Sequence, residues 1–207
     1  MSQSLSSLVK SANPKAFHDA VRTRLEQDRP VSLEAATFEE VTLTGFDFSD
    51  IDLTHAAFEN CTLSECRFVD TKLEGAFFDA ATMLHCHFEG GQWEGMAIDA
   101  STIGSCTFKD LTFDNNEWTD SRLNDCTLES VGAETWWMER VTFKGGRWRD
   151  VTVEGGSWLH VTLREMSVSD IDLDEVDIKN CYHVETAIHS AQWPPGFVEK
   201  SGRRKTL

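Results

Sequence analysis

Large apolar residues recur at every fifth position of this chain. In FENCTLSECRFVDTKLEGAFFDAATMLHCHF, residues 58–88, they fall at Phe58, Leu63, Phe68, Leu73, Phe78, Met83 and Phe88. Five matches neither the 3.6 of a helix nor the 2.0 of a strand. The register starts at Leu33 and runs without an insertion to Trp193, and only Ala133 and His183 in it are not large and apolar. A second, mostly small phase lies two residues earlier, at Ala36, Val41, Ala56, Cys61, Cys66, Ala76, Ala81, Cys86, Ser101 and Cys106. Each unit of five thus has two inward and three outward positions. A chain that turns one corner per unit closes a square after four units, and stacked squares pair as parallel β-bridges.

This pattern resembles the pentapeptide-repeat family over about residues 31–193. The resemblance implies an all-β solenoid, a right-handed quadrilateral β-helix of about eight twenty-residue coils. At roughly 4.8 Å per coil the rod is ~39 Å long. The expected organisation is an N-terminal segment with a capping helix (1–30), the β-helix (31–193) and a basic tail (194–207).

Side-chain volumes agree with this packing. Gly91, Gly146 and Gly156, the glycines of the small phase, are each followed two residues later by an inward tryptophan, Trp93, Trp148 and Trp158. The expectation is an exchange of volume, as dense packing requires. Ala133 and Trp136 make the reverse exchange. All six cysteines (61, 66, 86, 106, 126, 181) occupy the small phase, and four of them, spaced by twenty, form one column. A thiol ladder for metal or disulfides is one reading; small buried hydrophobes are the stronger one. Reduced thiols, with no apolar signal-like run at the start, point to a cytoplasmic protein.

The ends differ from the rod. Asn13-Pro14 has the form of an N-cap and first-turn proline, and Phe17, Ala20, Val21 and Leu25 share one face of a helix over 14–28 that covers the first coil. The repeat stops at Pro194. The last coil (Ile178, His183, Ile188, Trp193) is left for PPGFV to cover by folding back, or for a symmetric end-to-end homodimer; the dimer is the expectation.

Charge enters last and is lopsided. The net charge of −16 argues against direct binding to nucleic acid or acidic membranes and favours a protein partner with a basic surface. The first face, centred on Leu33, Leu53 and Leu73, carries ten acids and one base, and the second, centred on Phe38, Phe58 and Phe78, nine acids and two bases. One column of the first face reads Glu34, Thr54, Glu74, Glu94, Asp114, Glu134, Glu154, Asp174. Its seven acids are candidate partner-binding residues. Phe77 and Trp137, outward on the second face, are candidate aromatic anchors. The threonine column of the third face suits outward strand positions. His85 and His87 straddle a corner and so do not form a metal pair, and no phosphate loop, nucleophile elbow or zinc spacing occurs. No cofactor is expected.

The family resemblance implies a non-enzymatic interaction module, and by association a bacterial type VI secretion accessory or effector-associated protein. The alternative it offers is a DNA mimic that inhibits or protects DNA gyrase or another type II topoisomerase. Against that alternative, the chain lacks the C-terminal dimer helix and the projecting loops of topoisomerase-protecting members. One extra residue inserted at Gly90 is expected to turn every downstream inward side chain outward and unfold the C-terminal half. An unchanged thermal midpoint in that variant would refute the fold.

Overall fold

The structure, a computed structural model, describes residues 4–192 and 196–200. Trp193, Pro194 and most of the basic tail lie outside them. The chain forms an all-β solenoid of parallel strands paired twenty residues apart, as in Phe38 with Phe58 and Leu43 with Leu63. The second face is an eight-stranded sheet from Thr37–Glu39 to Val176–Lys179. The third runs from Thr42–Thr44 to Cys181–Val184 and ends on Phe197–Glu199.

The first and fourth faces depart from four equivalent sides. Near the N-terminus the first face holds its coils by isolated bridges, Ser32 to Asp52 and Asp52 to Lys72. From Thr107–Asp114 onward, strands of the fourth face continue round the corner onto the first, as in Arg147–Val153 and Ser167–Leu173. A five-residue period alone does not distinguish these two ways of joining faces.

The corners explain the period. Every residue numbered by a multiple of five from 35 to 190 has positive φ, except Thr135 and Gly155. In that left-handed conformation the corner N–H points along the rod and donates to the carbonyl nineteen residues on: Glu40 to Glu59 at 3.0 Å, Glu65 to Leu84 at 2.9 Å, His85 to Gly104 at 2.9 Å. Returning bonds run from Ala57 to Ala36 and from Thr62 to Val41 at 2.9 and 3.0 Å. Many corners are Asp or Asn, which tolerate this conformation best after glycine.

Inward side chains stack at coil spacing. Ring centroids lie 5.1, 4.7 and 4.9 Å apart along Phe48, Phe68, Phe88 and Phe108. Trp93, Trp118, Trp136, Trp148 and Trp158 are all buried. The indoles point inward as expected, but the glycines have a reason of their own. Gly146 and Gly156 have φ of +79° and +115°, and a Cβ would lie 2.0 Å from the Cys126 carbonyl oxygen or 2.3 Å from that of Trp136. Backbone approach therefore demands glycine there, whatever the neighbouring volume.

The small phase also has a polar task. Backbone N–H groups of one coil donate to small-phase side chains of the next: Ala81 to Ser101 Oγ at 3.0 Å, Met96 to Asn116 Oδ1 at 2.8 Å, Cys86 to Cys106 Sγ at 3.3 Å. All six cysteines are buried and free, and Cys181 Sγ lies 3.2 Å from the Trp158 carbonyl. Burial pushes the Cys61 and Cys181 thiols up from their ordinary pKa. They are structural thiols that satisfy backbone groups, which polarity at a small site makes possible.

Two helices, rather than one, occupy the N-terminal segment. Helix α1 (Leu5–Lys10) is capped by Ser4, and helix α2 (Pro14–Glu26) by Asn13, whose Oδ1 accepts the Ala16 N–H at 3.0 Å. Leu5, Leu8 and Val9 of α1 are buried; six residues are too short for a helix to form on its own, so packing rather than propensity holds it. Phe17 is fully buried against Phe46 and Phe48, with centroids 5.4 and 5.5 Å away, a burial that contributes about 1.5–3 kcal/mol. Ala20 and Val21 pack on the core as expected. Leu25 does not: it is exposed.

At the other end the chain closes on itself. Phe197, Val198 and Glu199 pair with Cys181, Tyr182 and His183, an offset of sixteen residues instead of twenty. Phe197 meets Trp158 edge-on at 6.3 Å. Of the two expected closures, the fold-back is therefore present within the chain, and the short tail covers more than its length suggested.

The corner geometry inverts the usual ranking of glycine and alanine. Ala80 sits at φ 48°, so Ala80→Gly should stabilise by about 0.5–1 kcal/mol once the entropy of glycine is deducted. Gly146→Ala should cost about 3 kcal/mol or more, because the backbone must move. Paired denaturation curves would check both signs.

Candidate functional site on the acidic faces

The seven acids of the first-face column stack as expected. The residues beside them are paired in register, Phe113 with Trp93 and Ala133, Val153 with Ala133 and Leu173, and Asp114 pairs directly with Glu94. Glu34, Glu74, Glu94, Glu134, Glu154 and Asp174 are exposed and Asp114 partly so. The backbone beneath them changes midway. His55, Gly75 and Gly95 donate to the carbonyls of Glu74, Glu94 and Asp114 at 2.7–2.8 Å, whereas Glu134, Glu154 and Asp174 themselves donate, to Phe113, Ala133 and Val153 at 2.9–3.1 Å. The corners after Glu134 and Glu154, Thr135 and Gly155, lack positive φ, while Glu175 after Asp174 keeps it.

Among the described residues, none of the seven column acids forms an ion pair; the cations that do pair meet other acids. Arg140 grips Asp120 with two bonds of 2.6 and 2.7 Å and also reaches Glu139. Lys109 meets Glu89 at 3.1 Å and Arg149 meets Glu129 at 3.3 Å. These three pairs each span twenty residues, so opposite charges one coil apart are the signal in the sequence that marks them. The Arg140 guanidinium holds the Asp120 carboxyl below its ordinary range. His87 and then Lys109 do the same for Glu89.

The two aromatic candidates share one outward column of the second face, Thr37, Ala57, Phe77, Ala97, Glu117, Trp137, Ser157, Asp177. They are not equivalent. Trp137 is 39% exposed, while Phe77, between two alanines, is half-buried and is a weaker anchor than the sequence suggested. The two histidines near Cys86 do not converge: His87 Nε2 bonds Glu89 at 2.8 Å and His85 is exposed. No group of three potential metal ligands occurs among the described residues.

The pentapeptide repeat region model matches residues 31–108. No curated protein matches the chain significantly. Two trypsin-treated variants of QnrB1, a plasmid-mediated fluoroquinolone resistance protein, share the fold. One aligns with a TM-score of 0.51 and 18% identity over 76% of this chain and 82% of that one; the other with 0.50 and 17% over 79% and 87%. HetL, a pentapeptide repeat protein involved in heterocyst differentiation regulation from the cyanobacterium Nostoc sp. strain PCC 7120, aligns at 0.27 and 10% identity over 78% and 92%, too loosely to carry an argument. The chain therefore carries a pentapeptide repeat region over 31–108, and the five-residue register continues unbroken through the later coils.

Adjacent carboxylates at ~4.8 Å repel by ~0.9 kcal/mol in water before screening and splaying. Changing Glu74, Glu94, Glu134 and Glu154 to Gln should therefore raise the thermal midpoint by roughly a few degrees at low salt. The gain should shrink near 1 M salt, where the Debye length falls to about 3 Å. A loss of stability at low salt would show that these carboxylates hold the rod together instead.

Proposed function

We propose that the protein is a non-enzymatic interaction rod whose first face binds a basic surface of a protein partner. The observation that carries this reading is the line of seven carboxylates that form no ion pair among the described residues, while Lys109, Arg140 and Arg149 pair with acids of other columns. The rigid scaffold supports it, since the line is held by backbone bonds and costs little further ordering on binding. The buried thiols support a reducing compartment, and we place the protein in the cytoplasm. Placement beside type VI secretion loci gains no support from the fold or the comparisons.

A DNA mimic aimed at gyrase or another type II topoisomerase is the second reading. The first two faces hold a net sixteen negative charges; over ~39 Å that is one per ~2.4 Å, against one per ~1.7 Å of duplex DNA. The fold shared with a fluoroquinolone resistance protein is compatible with this reading and does not decide it. Pairing of two rods through their C-terminal ends is a further proposal, read by sedimentation of the full chain beside a truncation after Pro194.

Affinity capture on the wild-type rod and on the four-glutamine variant separates functional acidity from solubilising acidity. A partner held by the first, released by salt and lost by the second supports the proposal; equal retention by both overturns it. For the topoisomerase reading, micromolar rod should inhibit gyrase supercoiling or protect gyrase from a quinolone. Neither effect would remove that reading.

A further inference from the structure

The second face carries a recess that the acidic column does not explain. It is a half-open depression of about 240 Å³, and its lining includes Glu117, Trp137, Glu139, Ser157 and Leu159. The coil register creates it. Glu117, Trp137 and Ser157 follow one another in one outward column, and Thr119, Glu139 and Leu159 in the next. A large side chain at 137 followed by a small one at 157 leaves a step, with the indole as its wall. Five other indoles of the rod are fully inward, whereas Trp137 is 39% exposed.

The charges around the step are not equivalent. Glu139 is held by Arg140, which also grips Asp120. Glu117 has no ion pair among the described residues. The recess thus combines an exposed indole, one carboxylate fixed by the protein's own arginine, and one left uncommitted. An apolar or neutral aromatic guest would cover Glu117 without giving it a partner, which is unfavourable.

We propose that this recess binds the guanidinium of an arginine side chain on the basic partner. The inference rests on the reading that the partner is basic, and it names the group that docks. A planar guanidinium can lie against the indole while its edge donates to Glu117; a lysine ammonium can approach the ring but cannot stack and fork together. The same chain places Lys200 Nζ 3.2 Å from the Tyr182 ring centroid, so a cation over an outward aromatic already occurs on this rod.

The test uses the full chain with ¹⁵N-labelled indoles and the probe peptide acetyl-Gly-Ser-Arg-Ser-Gly-amide, beside its lysine and citrulline twins. The Trp137 Nε1 signal, assigned by its disappearance in Trp137→Phe, should move and saturate with the arginine peptide. The lysine peptide should bind about fivefold more weakly, and the citrulline peptide should leave the signal in place. Glu117→Gln should weaken the arginine peptide about threefold or more. No shift with the arginine peptide at tens of millimolar, an equal shift with citrulline, or no effect of Glu117→Gln would overturn the proposal. Nona-arginine binding to Trp137→Ala and to the four-glutamine variant separates the two readings. Weakening by the glutamines alone keeps the acidic face and rejects the recess, and weakening by Trp137→Ala alone does the reverse.

Discussion

The structure depends on one repeated backbone contact: the hydrogen bond from a corner N–H to the carbonyl nineteen residues on. It forms because the corner adopts a left-handed conformation, at a local cost of about 1–2 kcal/mol per non-glycine residue. That cost recurs at almost every corner. It is offset by a ladder in which each coil satisfies the backbone of the next, and by inward faces almost wholly removed from water. Neither element works alone, since a single coil could bury neither its apolar residues nor its polar backbone.

A fixed offset of twenty makes the surface a set of straight columns. Like side chains then meet like, favourably inside, where phenylalanines stack, and unfavourably outside, where carboxylates do. The same geometry that aligns Asp120 with Arg140 and Glu129 with Arg149 aligns Glu74 with Glu94 and Asp114. Which columns attract and which repel is therefore settled by one residue choice per coil, with no loop to relax the contact. This is why an acidic line with no ion pair among the described residues is informative on such a rod: a basic residue in the column would have relieved it.

A solenoid must also end, and exposed strand edges invite pairing with other chains. The two ends solve this with different materials. At the N-terminus two short helices place Phe17 on the first coil, and His18 Nε2 accepts the Asp47 N–H at 2.8 Å, joining the cap to the strand edge. At the C-terminus Phe197 is brought against Trp158 by a shortened turn of the chain's own repeat.

The amino-acid sequence by itself determined the solenoid, its register, the inward phases, the position of every cysteine and the acidic column. Period five is a one-dimensional signal, and each of these follows from it by counting. The tertiary structure decided what counting cannot reach. The merging of the fourth and first faces, the glycines forced by carbonyl approach, the half-burial of Phe77 beside the exposure of Trp137 and the packing of α1 all depend on how adjacent coils settle against one another. So does the sixteen-residue closure at Phe197, where the repeat has stopped and contact with Trp158, rather than period, sets the path of the chain.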